Sequence, residues 1–159
     1  MTIKPLTTQL MKILIVDDNS DNIELMSQIL EDDYSLITAN SGKSCIELAL
    51  SEQPNLILLD VNMPEMDGYE TMRFLKKNDA TKNIPVIFVS AYYTDSERIV
   101  KGLEQGAFDY LTKPVDENIV LAKVHVIERI KKAEDKVLQQ KNELLVMNDE
   151  LKSADKLKS

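Results

Sequence analysis

Several features that are common in other proteins are scarce or missing in this sequence. Its single cysteine, Cys45, excludes an internal disulfide framework and is typical of a reducing compartment. Cys45 lies beside Ile46 and Ala49 in a segment with helical spacing, so we expect it to be a small core residue. No apolar run is long enough for a membrane span or for the core of a secretory signal peptide. These shortages predict a soluble cytoplasmic protein without membrane contact.

Basic residues are also in short supply. The chain has a formal net charge of -8 and a pI of about 4.7. This balance argues against a nucleic-acid-binding surface, because phosphate contacts need clustered lysine and arginine. Residues 131–159 carry seven lysines and six acidic residues, so the excess negative charge belongs to residues 1–130. A bound cation in that part of the chain would partly offset this excess.

Short apolar segments alternate with segments of helical periodicity through most of the chain. The apolar segments are rich in β-branched residues and end at turn-forming residues, which is typical of strands. They cover residues 13–16, 34–39, 56–59, 84–89 and 108–111. Five strands that alternate with five helices predict a doubly wound parallel α/β sheet, and the flavodoxin-like strand order 2-1-3-4-5 is favoured for this size. We therefore predict a leader over residues 1–11 and one domain over residues 12–130.

The fifth predicted helix extends far beyond the sheet-forming part of the chain. Neither glycine nor proline occurs from Asp116 to about Ser153, and apolar residues recur at heptad spacing. The repeat consists of Ile130, Val137, Leu144 and Leu151, with Ala133, Met147 and Ala154 three positions later and Gln140 as a polar interruption. This pattern predicts a coiled coil over residues 131–159, as a parallel dimer, and a solvated amphipathic helix is the alternative. Because the helical pattern still continues at Ser159, we expect it to lead into an output module.

Polar and charged residues stand at the C-terminal ends of four of the five predicted strands. They are Asp17 and Asp18 after the first strand, Asp60 after the third, Ser90 after the fourth and Lys113 after the fifth. In the favoured strand order these four strands are neighbours, so their ends meet in one cleft. Three carboxylates repel one another unless a cation intervenes, and Mg²⁺ together with Lys113 would meet that need. A carboxylate nucleophile, a metal ion, a lysine and a hydroxyl are the groups that phosphoryl transfer uses.

Each of these residues has an ordinary structural explanation when it is taken alone. A carboxylate after a strand often caps the next helix, and we expect that role for Asp21 and Asp67. A serine after a strand and a lysine before a proline are both common in loops. The functional interpretation is favoured because four separate strands deliver complementary groups to one edge of the sheet.

Four segments together resemble the receiver domain of two-component response regulators, the family that includes the bacterial chemotaxis regulator. They are residues 16–19 (VDDN), 59–68 (LDVNMPEMDG), 89–91 (VSA) and 106–114 (GAFDYLTKP). Their order and spacing fit the family throughout, and the resemblance covers about residues 11–130. It implies a protein that undergoes phosphorylation and is not itself an enzyme.

The resemblance implies a phosphoacceptor and a metal site in the cleft. Asp60 would accept a phosphoryl group from a phosphohistidine on a sensor histidine kinase or a histidine phosphotransfer protein. Mg²⁺ would be bound by the carboxylates of Asp18 and Asp60, by the backbone carbonyl of Asn62 and, through water, by Asp17.

The resemblance also implies residues that sense the phosphoryl group. Lys113 would pair with one phosphoryl oxygen, and Ser90 would hydrogen-bond to another. Tyr110 resembles the switch aromatic, which turns inward when Ser90 moves toward the phosphate. The family further implies a cis peptide bond between Lys113 and Pro114. The surface of the fourth helix, fifth strand and fifth helix would then change, and with it a homodimer formed through that surface and the coiled coil.

Two positions near the cleft bear on the lifetime of the phosphorylated state. Asn62 lies two residues after Asp60, and Tyr92 lies two residues after Ser90. In receiver domains these positions gate the access of water to the acyl phosphate. A bulky Tyr92 would shield it, so we expect slow autodephosphorylation. The alternative is that Tyr92 and Tyr93 only cover the loop surface.

Other functions compete with that of a phosphorylated receiver. The chain would alternatively serve as a non-catalytic dimerisation or scaffold module, or as the regulatory part of a larger histidine kinase or diguanylate cyclase with its output enzyme beyond Ser159. A phosphohydrolase is disfavoured because Asp60 follows the third strand and not the first. A flavin site is disfavoured because Asp17 and Asp18 would repel its phosphate. The only histidine, His125, lies among apolar residues and favours helix packing over a phosphodonor role.

Overall fold

The computed structural model describes residues 9–91 and 96–158 of the chain. The strands are β1 (Lys12–Val16), β2 (Ser35–Ala39), β3 (Leu56–Asp60), β4 (Val86–Ser90) and β5 (Asp109–Thr112). The helices are α1 (Ser20–Leu30), α2 (Gly42–Glu52), α3 (Gly68–Lys77), α4 (Ser96–Glu104) and α5 (Glu117–Lys158). The chain divides into two compact units, residues 1–123 and 124–159.

The five strands of the first unit form one parallel sheet in the order β2-β1-β3-β4-β5. The predicted flavodoxin-like strand order is therefore confirmed. Every residue of β3 and β4 is buried, as continuous apolar strands inside a helix-covered parallel sheet should be. In the edge strand β2 only Ala39 is buried.

A hydrophobic core cluster of the first unit includes side chains from one face of the sheet and from α2 and α3. Phe88 and Leu59 are fully buried residues of the inner strands. Cys45 is also fully buried in this cluster, which confirms its predicted place in the core. Burial raises the pKa of the Cys45 thiol to about 12, so the thiol stays protonated and unreactive.

Three strands begin later than predicted, and proline explains one of the shifts. β2 begins at Ser35, one residue after the predicted start. β4 begins at Val86 because Pro85 has no N–H to donate to a neighbouring strand, although its carbonyl accepts from Ile57 N–H over 3.0 Å. β5 begins at Asp109, one residue after the predicted start. The predicted start of the fourth helix at Thr94 and residues 1–8 of the predicted leader lie outside the described residues.

Side chains at the N-termini of three helices cap them. Asn19 caps α1, Ser41 caps α2 and Asp67 caps α3, each accepting a backbone N–H of the first turn. The expectation for Asp67 is confirmed, and that for Asp21 was wrong. Asp21 lies inside the first turn of α1, and its own N–H donates to Asn19 Oδ1 over 2.9 Å.

The second unit is the part of α5 from Val124 onward. Its apolar heptad side chains are strongly exposed: Val137, Leu144, Met147 and Leu151 have exposed fractions of 63%, 61%, 56% and 63%. The predicted long helix is confirmed, and the coiled coil stays a prediction. Among the described residues, we find no helix with the length and apolarity to cross a bilayer.

A glycine brings α3 against the end of β3. The Gly68 N–H donates to the Val61 carbonyl over 2.9 Å. A Cβ atom at Gly68 would lie 2.5 Å from the carbonyl oxygen of Asp60 and 2.9 Å from Val61 Cα, where only backbone could give way. A larger residue would therefore displace the strand end that carries Asp60.

We expect Gly68→Ala to lower the free energy of unfolding by about 2 kcal/mol, because the added methyl group must displace backbone atoms. Urea denaturation followed by circular dichroism would measure the change. Lys77→Ala, at an exposed position of the same helix, is the control and should shift the free energy by less than about 0.5 kcal/mol. Equal stability of Gly68→Ala and the parent protein would contradict the close approach of α3 to β3.

Candidate functional site

Three carboxylates converge at the C-terminal edge of the sheet. Asp17 and Asp18 follow β1, and Asp60 is the last residue of β3, whose register pairs Leu59 with Val16. One carboxylate oxygen from each aspartate lies within 4.8 Å of the others. Asp17 and Asp60 are buried, at 5% and 2% exposed, whereas Asp18 is exposed. The predicted meeting of these strand ends is confirmed.

Lys113 links the two buried carboxylates. Its Nζ lies 3.1 Å from Asp17 Oδ2 and 3.1 Å from Asp60 Oδ1. The Lys113 N–H donates to the Ser90 carbonyl over 2.8 Å, so a hydrogen bond to β4 holds the residue that follows β5. The Lys113–Pro114 peptide bond is cis, as the resemblance implies. Groups from four neighbouring strands thus meet in one cleft.

Backbone groups next to Asp17 fix the direction of its carboxylate. The Asp17 N–H donates to the Ala39 carbonyl over 3.2 Å, and Asp17 Oδ1 accepts the Asn19 N–H over 2.9 Å. The other oxygen, Oδ2, is the one that pairs with Lys113. The same short turn therefore orients a site carboxylate and supplies the cap of α1.

The remaining predicted site residues lie around this cluster. Ser90 is the last residue of β4 and is 2% exposed. Asn62 is exposed, and its backbone N–H donates to the Asp60 carboxylate. Tyr110 is 9% exposed and belongs to the hydrophobic core cluster that also contains Phe88. Tyr92 lies outside the described residues.

Burial makes the Asp60 carboxyl group a weaker acid than usual. Loss of hydration is the largest cause, the nearby charge of Asp17 adds to it, and together they raise the pKa of Asp60 from 3.8 to about 6. The ion pair with Lys113 and the N–H of Asn62 act in the opposite direction and offset only part of the rise. Burial also acts against the charged form of Lys113, but its pairing with Asp60 and Asp17 outweighs burial and raises the pKa of Lys113.

The formal charges of the cluster do not balance. Within the described residues, the carboxylates of Asp17, Asp18 and Asp60 share the cleft with one lysine, Lys113, so ionisation of all of them leaves excess negative charge. Carboxylate oxygens are the ligands that Mg²⁺ prefers, and an exposed Asp18 leaves room for the water molecules that this ion retains. The donor set therefore fits a hard divalent cation, whose charge would favour the ionised form of Asp60.

Two residues that hold Tyr110 gave no signal in the sequence. Lys123 Nζ donates to the Tyr110 carbonyl over 2.6 Å and lies 3.0 Å from Asp109 Oδ1. Lys123 is 14 residues from Asp109 and lies in a different element, so no pattern within one helix or strand links the two residues. Only the packing of α5 beside β5 brings these charges together.

The raised pKa of Asp60 makes the stability of the protein depend on pH. The folded protein binds this proton more tightly than the unfolded chain does, so stability falls as the pH rises from about 4 to about 6. Without divalent cations, Asp60→Asn should therefore stabilise the protein by about 2 kcal/mol at pH 7, and this gain should shrink toward pH 4. Urea denaturation over this pH range measures the effect. Asp32→Asn, at an exposed carboxylate, is the control, and parallel curves for Asp60→Asn and the parent protein would refute the prediction.

Known proteins are similar to the first unit in sequence and in fold. The family described as the response regulator receiver domain matches residues 13–125. The chain is 39% identical to the response regulator PleD of Caulobacter vibrioides over 129 residues, which are 80% of this chain and 28% of PleD. It is 37% identical to protein PilH of Pseudomonas aeruginosa over 117 residues, which are 73% of this chain and 96% of PilH. The chain thus spans less than a third of PleD and nearly all of PilH.

A solved structure agrees with these matches. The chemotaxis protein CheY4 of Vibrio cholerae has a TM-score of 0.70 and 28% sequence identity to this chain, and the match covers 75% of this chain and 99% of CheY4. The family match covers all of the five-stranded sheet except its first residue, Lys12, and includes the residues of the acidic cleft. The chain therefore belongs to the response regulator receiver domain family.

Proposed function

We propose that Asp60 accepts a phosphoryl group from a phosphohistidine of a sensor histidine kinase or a histidine phosphotransfer protein, in a cytoplasmic two-component phosphorelay. The bridge of Lys113 between Asp17 and Asp60, at 3.1 Å to each, is the observation that supports this most directly. A lysine so placed can neutralise an incoming phosphoryl oxygen beside a carboxylate nucleophile.

The proposed transfer exchanges one bond to phosphorus for another. A carboxylate oxygen of Asp60 attacks the phosphorus in line and forms the O–P bond of an acyl phosphate. The P–N bond to the donor histidine breaks, and its electron pair leaves with the imidazole. Asp18, Asp60, the Asn62 carbonyl and, through water, Asp17 would hold Mg²⁺, which would supply positive charge to the transferring oxygens. Lys113 supplies a further positive charge and keeps Asp60 in its ionised, nucleophilic form.

Ser90 and Tyr110 are the proposed link from the cleft to the rest of the protein. Ser90 ends β4, and Tyr110 lies on the adjacent strand β5, where it pairs with Phe88. The Ser90 hydroxyl donates to a phosphoryl oxygen, and the Tyr110 ring packs inward behind it. Asn62 and Tyr92 control how easily water reaches the acyl phosphate.

The surface of α4, β5 and α5 is the proposed homodimer contact of the first unit. Three apolar side chains on it have high exposed fractions: Leu103 on α4 with 43%, Phe108 before β5 with 41% and Ile119 on α5 with 52%. Apolar area of this kind is stabilised by burial against a partner surface. A shift of Tyr110 on β5 would change the shape of this surface and so the geometry of the dimer.

The proposal also includes the C-terminal helical tail, residues 131–159. Residues 12–130 act as the receiver, and residues 131–159 form a parallel coiled coil that transmits dimer geometry. A second candidate, in which the chain regulates a larger histidine kinase or diguanylate cyclase, is consistent with the match to 28% of PleD, which does not favour it. The exposed heptad side chains are also compatible with a third candidate, in which the chain is a dimerisation scaffold that is not phosphorylated.

Acetyl phosphate, a small acyl-phosphate donor, tests the proposed acceptor. With Mg²⁺ the parent protein should gain one phosphoryl group by intact-mass spectrometry, and EDTA or Asp60→Asn should abolish the gain, because each removes a required group. Asp67→Asn is the matched control and should retain labelling, since asparagine caps α3 as well as aspartate does. Labelling that persists in Asp60→Asn would refute the acceptor assignment, and a parent protein that takes no label would favour the scaffold.

A charged residue at a heptad position tests whether the tail forms a coiled coil. The heptad positions that would face the partner helix are called the seam. Leu144→Asp should weaken dimerisation at least about tenfold, because it places a carboxylate where two helices would pack. Analytical ultracentrifugation measures the dissociation constant. Asn142→Asp introduces the same charge at an exposed position two residues away, outside the seam, and should leave the constant unchanged. If both variants sediment like the parent protein, the tail is a solvated helix and not a coiled coil.

A further inference from the structure

The backbone of Tyr110 is held at the edge of the sheet by two charged side chains. β5 is the outermost strand on its side of the sheet. The Tyr110 N–H donates to Asp109 Oδ1 over 2.8 Å, and the Tyr110 carbonyl accepts from Lys123 Nζ over 2.6 Å. Lys123 Nζ and Asp109 Oδ1 also form an ion pair at 3.0 Å. Three contacts therefore close around one residue, and we call Asp109 and Lys123 the edge clamp.

The edge clamp differs from an ordinary surface ion pair. An exposed pair contributes little, because water screens both charges and two side chains must be ordered. The side chains of Asp109 and Lys123 are 37% and 30% exposed, and each also bonds to the backbone of Tyr110. Hydrogen bonds between a charged group and the backbone are stronger than neutral ones, and the shared ion pair lets each bond reinforce the other.

The position of the clamp in the chain joins it to the cleft. The bond from Lys123 to the Tyr110 carbonyl closes a segment that runs from the end of β5 into α5. Lys113 and its cis bond to Pro114 lie inside this closed segment. The hydrogen bond that joins the two ends of this segment also limits how far Lys113 can move from Asp60.

The Tyr110 ring responds to the same restraint. Tyr110 is 9% exposed and belongs to the hydrophobic cluster that contains Phe88 and Ala107. Because the N–H and the carbonyl of Tyr110 are both hydrogen-bonded to charged side chains, the strand cannot rotate at this residue without breaking one of these hydrogen bonds. The ring can therefore leave or enter its place only by side-chain rotation or by opening of the clamp.

We propose that Asp109 and Lys123 are positioning residues that hold Tyr110 and Lys113 in the geometry needed for the phosphorylation switch. This inference rests on the proposed function of Asp60 as phosphoacceptor. The clamp transmits a change at Asp60 to α5, since Lys123 is a residue of that helix. Without the clamp, the cleft still takes a phosphoryl group, but β5 and α5 respond to it less.

Lys123→Met tests the clamp, because it keeps the length of the side chain and removes its charge and donors. Hydrogen exchange of the Tyr110 amide should accelerate about tenfold, because loss of the ion pair lets Asp109 turn away from the Tyr110 N–H. The protein would also carry fluorotyrosine, with the Tyr110 signal in fluorine NMR assigned by Tyr110→Phe. Beryllofluoride with Mg²⁺ should shift this signal in the parent protein, and the shift should be at least halved in Lys123→Met.

Three further variants make the result specific. Lys123→Arg keeps a positive donor and should restore most of the parent behaviour. Lys131→Met removes an exposed lysine that pairs with Asp135 on the same helix and should change neither measurement. Asp109→Asn keeps an oxygen for the Tyr110 N–H but removes the ion pair, so it should reproduce part of the effect. If Lys123→Met fails to fold by circular dichroism, Asp109→Asn decides the outcome.

The clamp and the proposed phosphoacceptor can fail separately. Labelling by acetyl phosphate is measured on the same samples. If the parent protein and Lys123→Met both take the label, but exchange and the Tyr110 signal are identical in the two, the edge clamp is refuted and the phosphoacceptor stands. If the parent protein takes no label and shows no response to beryllofluoride, the proposed function fails, and with it the role of the clamp in the switch.

Discussion

The ion pairs of Lys113 with Asp17 and Asp60 join parts of the chain that are far apart in the sequence. Two buried carboxylates this close would repel each other and would each lose their hydration, so the fold needs a positive group between them. Lys113 supplies that group at 3.1 Å from each. It can do so only if β5 lies beside β4 and β4 lies beside β3, which is the order that the sheet has. The chemistry of the cleft and the order of the strands therefore depend on each other.

The compensation by one lysine is incomplete, and this bears on function. Asp60 keeps a pKa of about 6 although Lys113 pairs with it, because burial and the charge of Asp17 together exceed what the lysine returns. A group in this condition responds strongly to added charge, either a divalent cation or a phosphoryl group. Asp18, which is exposed, marks the side of the cleft from which solvent can enter. The same imbalance that weakens the folded state thus makes the ionisation of Asp60 sensitive to its surroundings.

Lys113 directly follows β5, the strand that contains Tyr110, so β5 connects the cleft with the edge of the sheet. β5 is anchored to β4 through the Lys113 N–H and to α5 through Lys123. Neither anchor is a hydrophobic contact. Polar bonds of this kind have preferred directions, and a strand held by them can transmit a small displacement that an apolar contact would absorb.

Much of the fold was predictable, because strands and helices leave periodic patterns in a sequence. Five apolar runs predicted the five strands, and the polar residues after four of these runs predicted which side chains would meet in the cleft. Two details depended on finer chemistry. Pro85 delayed the start of β4 because it lacks an N–H, and Asn19, which directly precedes α1, took the capping role expected of Asp21.

The amino-acid sequence by itself determined the element types, the chemical groups available to the cleft and the membership of the family, since these follow from local pattern and residue identity. The tertiary structure alone decided that Asp60 is buried while Asp18 is not, and that Lys113 reaches two carboxylates at once. It also decided that Asp109 and Lys123 close around Tyr110. These properties depend on distances of a few ångströms between residues that are remote in the chain, and no period in the sequence encodes such distances.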